Sequence, residues 1–140
     1  MISLLTCSSS PRINKLSAKR TKETAVIKDG GVPIKIAYSL LTTAGPDKNT
    51  CSVKLNVIAN GKKAPLNITL EAEAIFNIND DVTDEQLDNA GASIAGPIVF
   101  SFVLEQIADT TRKMGFPPLI LPYPDFTKIP SESTEKDIED

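Results

Sequence analysis

Residues 97–126 read P-I-V-F-S-F-V-L-E-Q-I-A-D-T-T-R-K-M-G-F-P-P-L-I-L-P-Y-P-D-F. A proline, seventeen residues without a helix breaker, then a glycine predict one helix with both ends marked. Pro97 suits a first helical position, where its missing N–H has no intrahelical partner to lose, and Gly115 suits the left-handed residue that closes a helix. Arg112 and Lys113 fall in the last turn, where cations complement the helix dipole. Beyond it, Pro117, Pro118, Pro122 and Pro124 forbid both helix continuation and central-strand pairing. Phe116 to Phe126 is therefore expected as an extended apolar strap, and such a strap must lie against something.

The chain before the helix reads as sheet. Val32, Ile34, Ile36, Tyr38 and Leu40 alternate with Pro33, Lys35, Ala37 and Ser39, a strict period of two. Cys51, Val53, Leu55, Val57 and Ala59 repeat the pattern, and Leu66, Ile68, Leu70, Ala72, Ala74, Phe76 and Ile78 hold it for seven alternations. Asn60-Gly61 predicts a two-residue type I′ hairpin between the last two. A weaker alternation over 12–26, with Arg12, Lys15, Lys19, Arg20 and Lys22 among apolar residues, reads as a charged edge strand. Lys28-Asp29-Gly30-Gly31 reads as a turn or crossover. Four antiparallel strands with one apolar face ask for a helical layer, which the chain supplies next. The expected class is thus α+β: a four-stranded antiparallel sheet packed on one long helix, followed by the Pro-rich strap.

Around this unit, residues 1–11 are expected as a flexible Ser-rich lead, 12–129 as the single domain, and 130–140 as a disordered acidic tail nearly devoid of apolar residues. The opening Met-Ile-Ser-Leu-Leu-Thr-Cys lacks the basic residues and the apolar length of an export signal. No apolar run reaches the ~18 residues of a membrane span. Asp84 to Ala90 is expected as a short acidic helical turn anchored by Leu87.

Composition narrows the chemistry. The 140 residues are 41% hydrophobic and 24% charged, with a net charge of −3, which does not suit a nucleic-acid or anionic-membrane partner. Histidine is absent, removing the commonest general base and metal ligand together. Cys7 and Cys51 have no metal-like spacing, and Asp80, Asp81, Asp84, Glu85 and Asp88 do not follow an EF-hand pattern. With no Gly-rich phosphate loop or nucleophile–base pair either, the reading is a binding protein without catalytic residues, metal or cofactor. The long helix is apolar nearly all round, so it is covered on more than one side, by the sheet and by the strap or a second copy.

The helix-to-strap junction resembles the SecB-type export chaperones. Their helix pattern I-L-F-P-Y-A-R-E-x-I is met here by Ile98-Val99-Phe100-Ser101-Phe102-Val103-Leu104-Glu105-Gln106-Ile107. Their strap, F-P-x-L-x-L-x-P-x-x-F, is met by Phe116-Pro117-Pro118-Leu119-Ile120-Leu121-Pro122 and Phe126, and Ile75-Phe76-Asn77-Ile78 stands where the family closes its last strand. The resemblance covers residues 12–129. It implies a cytoplasmic, ATP-independent holdase for unfolded secretory polypeptides, assembled as a dimer or tetramer and passing clients to a translocase motor.

For this chain the resemblance implies a peptide-binding groove at Ile34, Ile36, Tyr38, Leu40, Phe116, Leu119, Leu121, Tyr123 and Phe126. For the even-numbered strand residues core packing is the competing reading, and Phe116 and Leu119 share it. Phe100, Phe102, Leu104 and Glu105 are the expected oligomer interface. The family's acidic motor-docking residue is met by Thr69, with Glu71 and Glu73 close enough to substitute. Ser101 and Leu104 replace the family's Pro and Arg, and the family's second, groove-lidding helix has no counterpart after Pro130. These departures leave a second reading, a chaperone dedicated to one client such as an antitoxin, and a third, an oligomeric assembly protein without chaperone action.

Overall fold

The computed structural model describes residues 3–21, 34–61 and 64–129. The expected turn at 28–31, the far end of the 12–26 strand, Val32 and Pro33, and the acidic tail lie outside these residues. Among the described residues the sheet has five antiparallel strands rather than four: β1 Leu5–Cys7, β2 Arg12–Arg20, β3 Lys35–Ala44, β4 Thr50–Asn60 and β5 Leu66–Ile78. They lie in the order β1-β5-β4-β3, with β2 also on β5. Phe76 pairs with both Cys7 and Cys51, and Leu70 with both Leu16 and Val57, so β1 and β2 share the edge of β5 opposite β4. The extra strand comes from the supposed lead. Leu5, only 2% exposed, inserts beside Ile78, and Asn79 N–H donates to the Leu4 carbonyl at 2.9 Å.

The period-two reading sets the layering. Cys51, Val53, Leu55, Val57 and Ala59 are buried along one face of β4, and Leu66 through Phe76 do the same on β5. Ladder partners share a face, so Ile36, Tyr38 and Leu40, opposite Ala59, Val57 and Leu55, join that layer. The β4–β5 connection differs from expectation. Ala59 pairs with Ile68, and the link spans 61–65 instead of a two-residue turn at Asn60-Gly61.

The long helix also starts earlier than Pro97. It begins with α1 (Asp84–Ala90), continues through a wider π-turn at Gly91–Ala95, and ends as α2 (Gly96–Lys113). Thr83 and Gln86 form a capping box: the Thr83 Oγ1 accepts from Gln86 N–H at 3.1 Å while Gln86 Oε1 accepts from Thr83 N–H at 2.9 Å. Pro97 is tolerated inside because the π-turn opens the ladder just before a residue that cannot donate to it. By length and apolar content alone this 30-residue helix could cross a membrane, where the sequence suggests no span. Its apolar stripe is spent on the sheet instead, since Val99, Val103 and Ile107 are fully buried and α2 touches β4 and β5.

Gly91 sets how closely the helix seats. A Cβ there would overlap the Thr42 side chain on β3. At the other end Gly115, at φ 91°, closes a Schellman motif: Phe116 N–H donates to the Thr111 carbonyl at 3.1 Å and Gly115 N–H to Arg112 at 3.0 Å. The proline-rich residues beyond it form neither helix nor strand until a 3₁₀ turn at Phe126–Lys128.

Candidate functional site

Polar contacts hold the proline-rich segment at two points and the helix end that leads into it at a third. Thr111 is fully buried in α2, where its hydroxyl would normally be a liability. It lies within 3.0 Å of the Ile107 carbonyl, to which it can donate, and it accepts the Leu119 N–H at 2.9 Å. Further on, the Tyr38 hydroxyl donates to the Pro122 carbonyl at 2.6 Å. Burial pushes this phenol up to about 12. At the helix end, Arg20 donates to the Met114 carbonyl at 2.6 Å.

Between and around these points lie two apolar arrangements. The first is an edge-to-face aromatic cluster centred on Phe100, whose ring centroid is 6.0 Å from Tyr38, 5.3 Å from Tyr123 and 5.8 Å from Phe126. Each such pair contributes about 0.5–1.5 kcal/mol beyond area burial. The second is an apolar pocket of about 300 Å³ lined by Ile34, Ile36, Pro65, Leu66 and residues Phe116 to Leu119. Ile120 and Tyr123, 66% and 67% exposed, project from the same segment.

The nine expected groove residues are therefore distributed rather than collected in one trough. Ile34, Ile36, Phe116 and Leu119 line the apolar pocket. Leu40 and Phe126 line a separate hollow of about 230 Å³ beside Asp88, and Tyr123 lines an open one with Pro97 and Ser93. Tyr38 belongs to the aromatic cluster. Leu121 and Phe126, 3% and 6% exposed, turn into the core, so these two anchor the segment instead of presenting it. Pro65, Leu66, Pro117 and Pro118 line the pocket without having been expected there. Pro117 and Pro118 read in sequence as backbone constraints, Pro65 carries no signal of its own, and nothing in their spacing announces that their rings line a pocket.

Of the residues expected at an oligomer interface, Phe100 is 3% exposed and enclosed by rings of its own chain, so it is a core residue. Its rotation inward follows from the helix period, which puts Val99, Phe100, Val103 and Ile107 on the covered side. Phe102 and Leu104 are half-buried and Glu105 is exposed. Glu71 and Glu73 point to the other face of the sheet, where Asn14 Nδ2 donates to both carboxylates at 2.9 Å. Arg12 reaches Glu73 at 3.4 Å. The Asn14 hydrogen bond, aided by Arg12, holds the Glu73 carboxyl below the usual range.

These features match a known family. The SecB family model, described as preprotein translocase subunit SecB, matches residues 17–137. The chain belongs to the SecB family, and its class is that of a chaperone. Among solved structures it is similar to the Rv1957 SecB-like chaperone of Mycobacterium tuberculosis, which was solved in complex with a ChAD peptide from the Rv1956 HigA1 antitoxin. That likeness has a TM-score of 0.72 at 18% identity, covers 86% of this chain and 90% of the other, and establishes the shared fold. No curated protein matches by sequence.

Proposed function

We propose that this chain is an ATP-independent holdase that binds unfolded polypeptides on the surface of its proline-rich segment. The observation that carries the reading is the pairing of an apolar pocket of about 300 Å³ with two large exposed side chains, Ile120 and Tyr123, in a SecB-family chain. Large exposed apolar groups on a backbone stiffened by four prolines lose little entropy on binding, which favours rapid capture of apolar and aromatic stretches. The chain acts by binding rather than by catalysis, in the cytoplasm, as a homo-oligomer. Ile98, 39% exposed, with Phe102, Leu104 and Glu105, supplies the side of α2 that meets a second copy. Delivery to a translocase motor would use Glu71 and Glu73.

A second reading is a chaperone dedicated to one antitoxin. It is favoured by the antitoxin peptide bound to the similar Rv1957 fold and by Thr69 at the family's acidic docking position. The test is suppression of aggregation of a slow-folding precursor, read by light scattering with oligomer mass measured in the same samples. Wild type is expected to protect near stoichiometry, while the Ile120→Ser/Tyr123→Ser pair keeps its mass and loses protection. Failure of wild type to protect any general client, with its oligomer intact, rules out the general holdase and leaves a single cognate partner.

A further inference from the structure

Arg20, the last residue of β2, stands beside the apolar pocket without lining it. Its ladder partner is Leu66, which forms one wall. Its guanidinium carbon stands 4.7 Å from the ring centroid of Phe116, which also lines the pocket. Its Nη1 donates to the Met114 carbonyl, and a Cβ placed on Gly115 would come within 3.2 Å of that same nitrogen. One side chain thus caps the C-terminal end of α2 and stacks on the first residue after the turn. The two roles have different chemistry. A carbonyl accepts from any cation, but only a planar, weakly hydrated guanidinium lies flat on an aromatic ring.

We propose that Arg20 is the positioning residue of the client pocket: stacking on Phe116 holds that ring at a set distance from Leu66 and so fixes the width of the opening. This deepens the reading of the pocket as a client site and rests on it. Phe116 follows a glycine and precedes two prolines, so its backbone is constrained, and its half-buried ring packs at the margin of the core under the guanidinium. The guanidinium is the group that stops the ring from swinging into the pocket or away from it.

The experiment uses the full chain as wild type, Arg20→Lys and Arg20→Ala, with three readouts. The first is the thermal midpoint. The second is binding of labelled, reduced and carboxymethylated α-lactalbumin, a permanently unfolded probe. The third is the methyl NMR shifts of Ile36 and Leu119, which report the Phe116 ring directly. Arg20→Lys keeps the carbonyl contact and most of the midpoint, yet shifts both methyls and weakens probe binding about two- to fivefold, the size of an exposed cation–π contact. Arg20→Ala lowers the midpoint as well. The proposal is overturned if Arg20→Lys restores midpoint, methyl shifts and binding together, since Arg20 is then only a helix cap. It is equally overturned if the methyls do not move in either variant. If wild type binds no probe while the methyls respond as described, the client reading fails and the positioning of Phe116 by Arg20 stands.

Discussion

The Tyr38 hydroxyl donates to the Pro122 carbonyl at 2.6 Å, across 84 residues of sequence, and joins the edge strand β3 to the proline-rich segment. Removing the donor in Tyr38→Phe keeps the edge-to-face contact with Phe100 and loses only this bond. The expected cost is about 0.5–1.5 kcal/mol, read as a lower thermal midpoint. The phenol also carries a pH signature. Its folded pKa, about 12, lies above the ordinary value of 10.0, so its contribution is complete below pH 10 and is lost as pH rises toward 12. Thermal midpoints taken across that window should fall in wild type and show a smaller fall in Tyr38→Phe.

Thr111→Val is a second test of how the segment is held. Valine fills nearly the same volume, so the core is kept while the Leu119 N–H loses its acceptor. Leaving a part-buried donor unpaired costs about 1–3 kcal/mol. Urea unfolding should show that loss at an unchanged m-value, and amide exchange at Leu119 should quicken while the amides of α2 stay protected.

Gly91→Ala tests the seating of the helix. In an exposed helix this change would stabilise by about 1 kcal/mol. Here the new methyl meets Thr42, and overpacking costs about 1–3 kcal/mol, so net destabilisation is expected. Adding Thr42→Ala, which removes the hydroxyl that the new methyl would overlap, should recover part of it, and a double-mutant cycle measures the coupling.

On the opposite face of the sheet, Asn14→Ala removes the main hydrogen bond that lowers the Glu73 pKa. A depressed carboxylate pKa means stability present above the ordinary value of 4.5 and lost as pH falls through the folded value. Acid unfolding of Asn14→Ala should therefore show a shallower pH dependence below 4.5 than wild type, with Arg12→Ala changing it less. An equal slope in both proteins would mean that Asn14 does not tune Glu73.

The strands were legible because their signal is local. Alternation over Cys51 to Ala59 and Leu66 to Ile78 states which residues face inward, whatever they pack against. The fifth strand was not legible, because Leu5-Thr6-Cys7 is too short to show a period and becomes a strand only where β5 offers Phe76 to Ile78 as partners. The helix start was misplaced for a related reason. Pro97 looked like a terminus, while the true cap, Thr83 with Gln86, sat in an acidic stretch read as a separate turn. A π-turn carries no sequence mark that would have joined the two. In the site, the residues around Gly115 were readable as a junction. Which way each side chain turned was not: Leu121 and Phe126 went inward while Ile120 and Tyr123 stayed out.

By itself the sequence determined the alternating faces of β3, β4 and β5, a long apolar helix closed at Gly115, the proline-rich run after it, and the absence of histidine-based chemistry. Each of these follows from residue type and spacing within a few positions, where sterics and periodicity act alone. Only the tertiary structure decided that Thr111 would hold Leu119, that Tyr38 would hold Pro122, and that Arg20, paired with Leu66 in the sheet, would lie over Phe116. Those pairs lie eight to ninety-six residues apart, and their geometry is set by how the helix seats on the sheet. Seating depends on close packing between layers, at Gly91 against Thr42 and Phe100 among three rings, and that is a property of two surfaces that no stretch of one chain can state in advance.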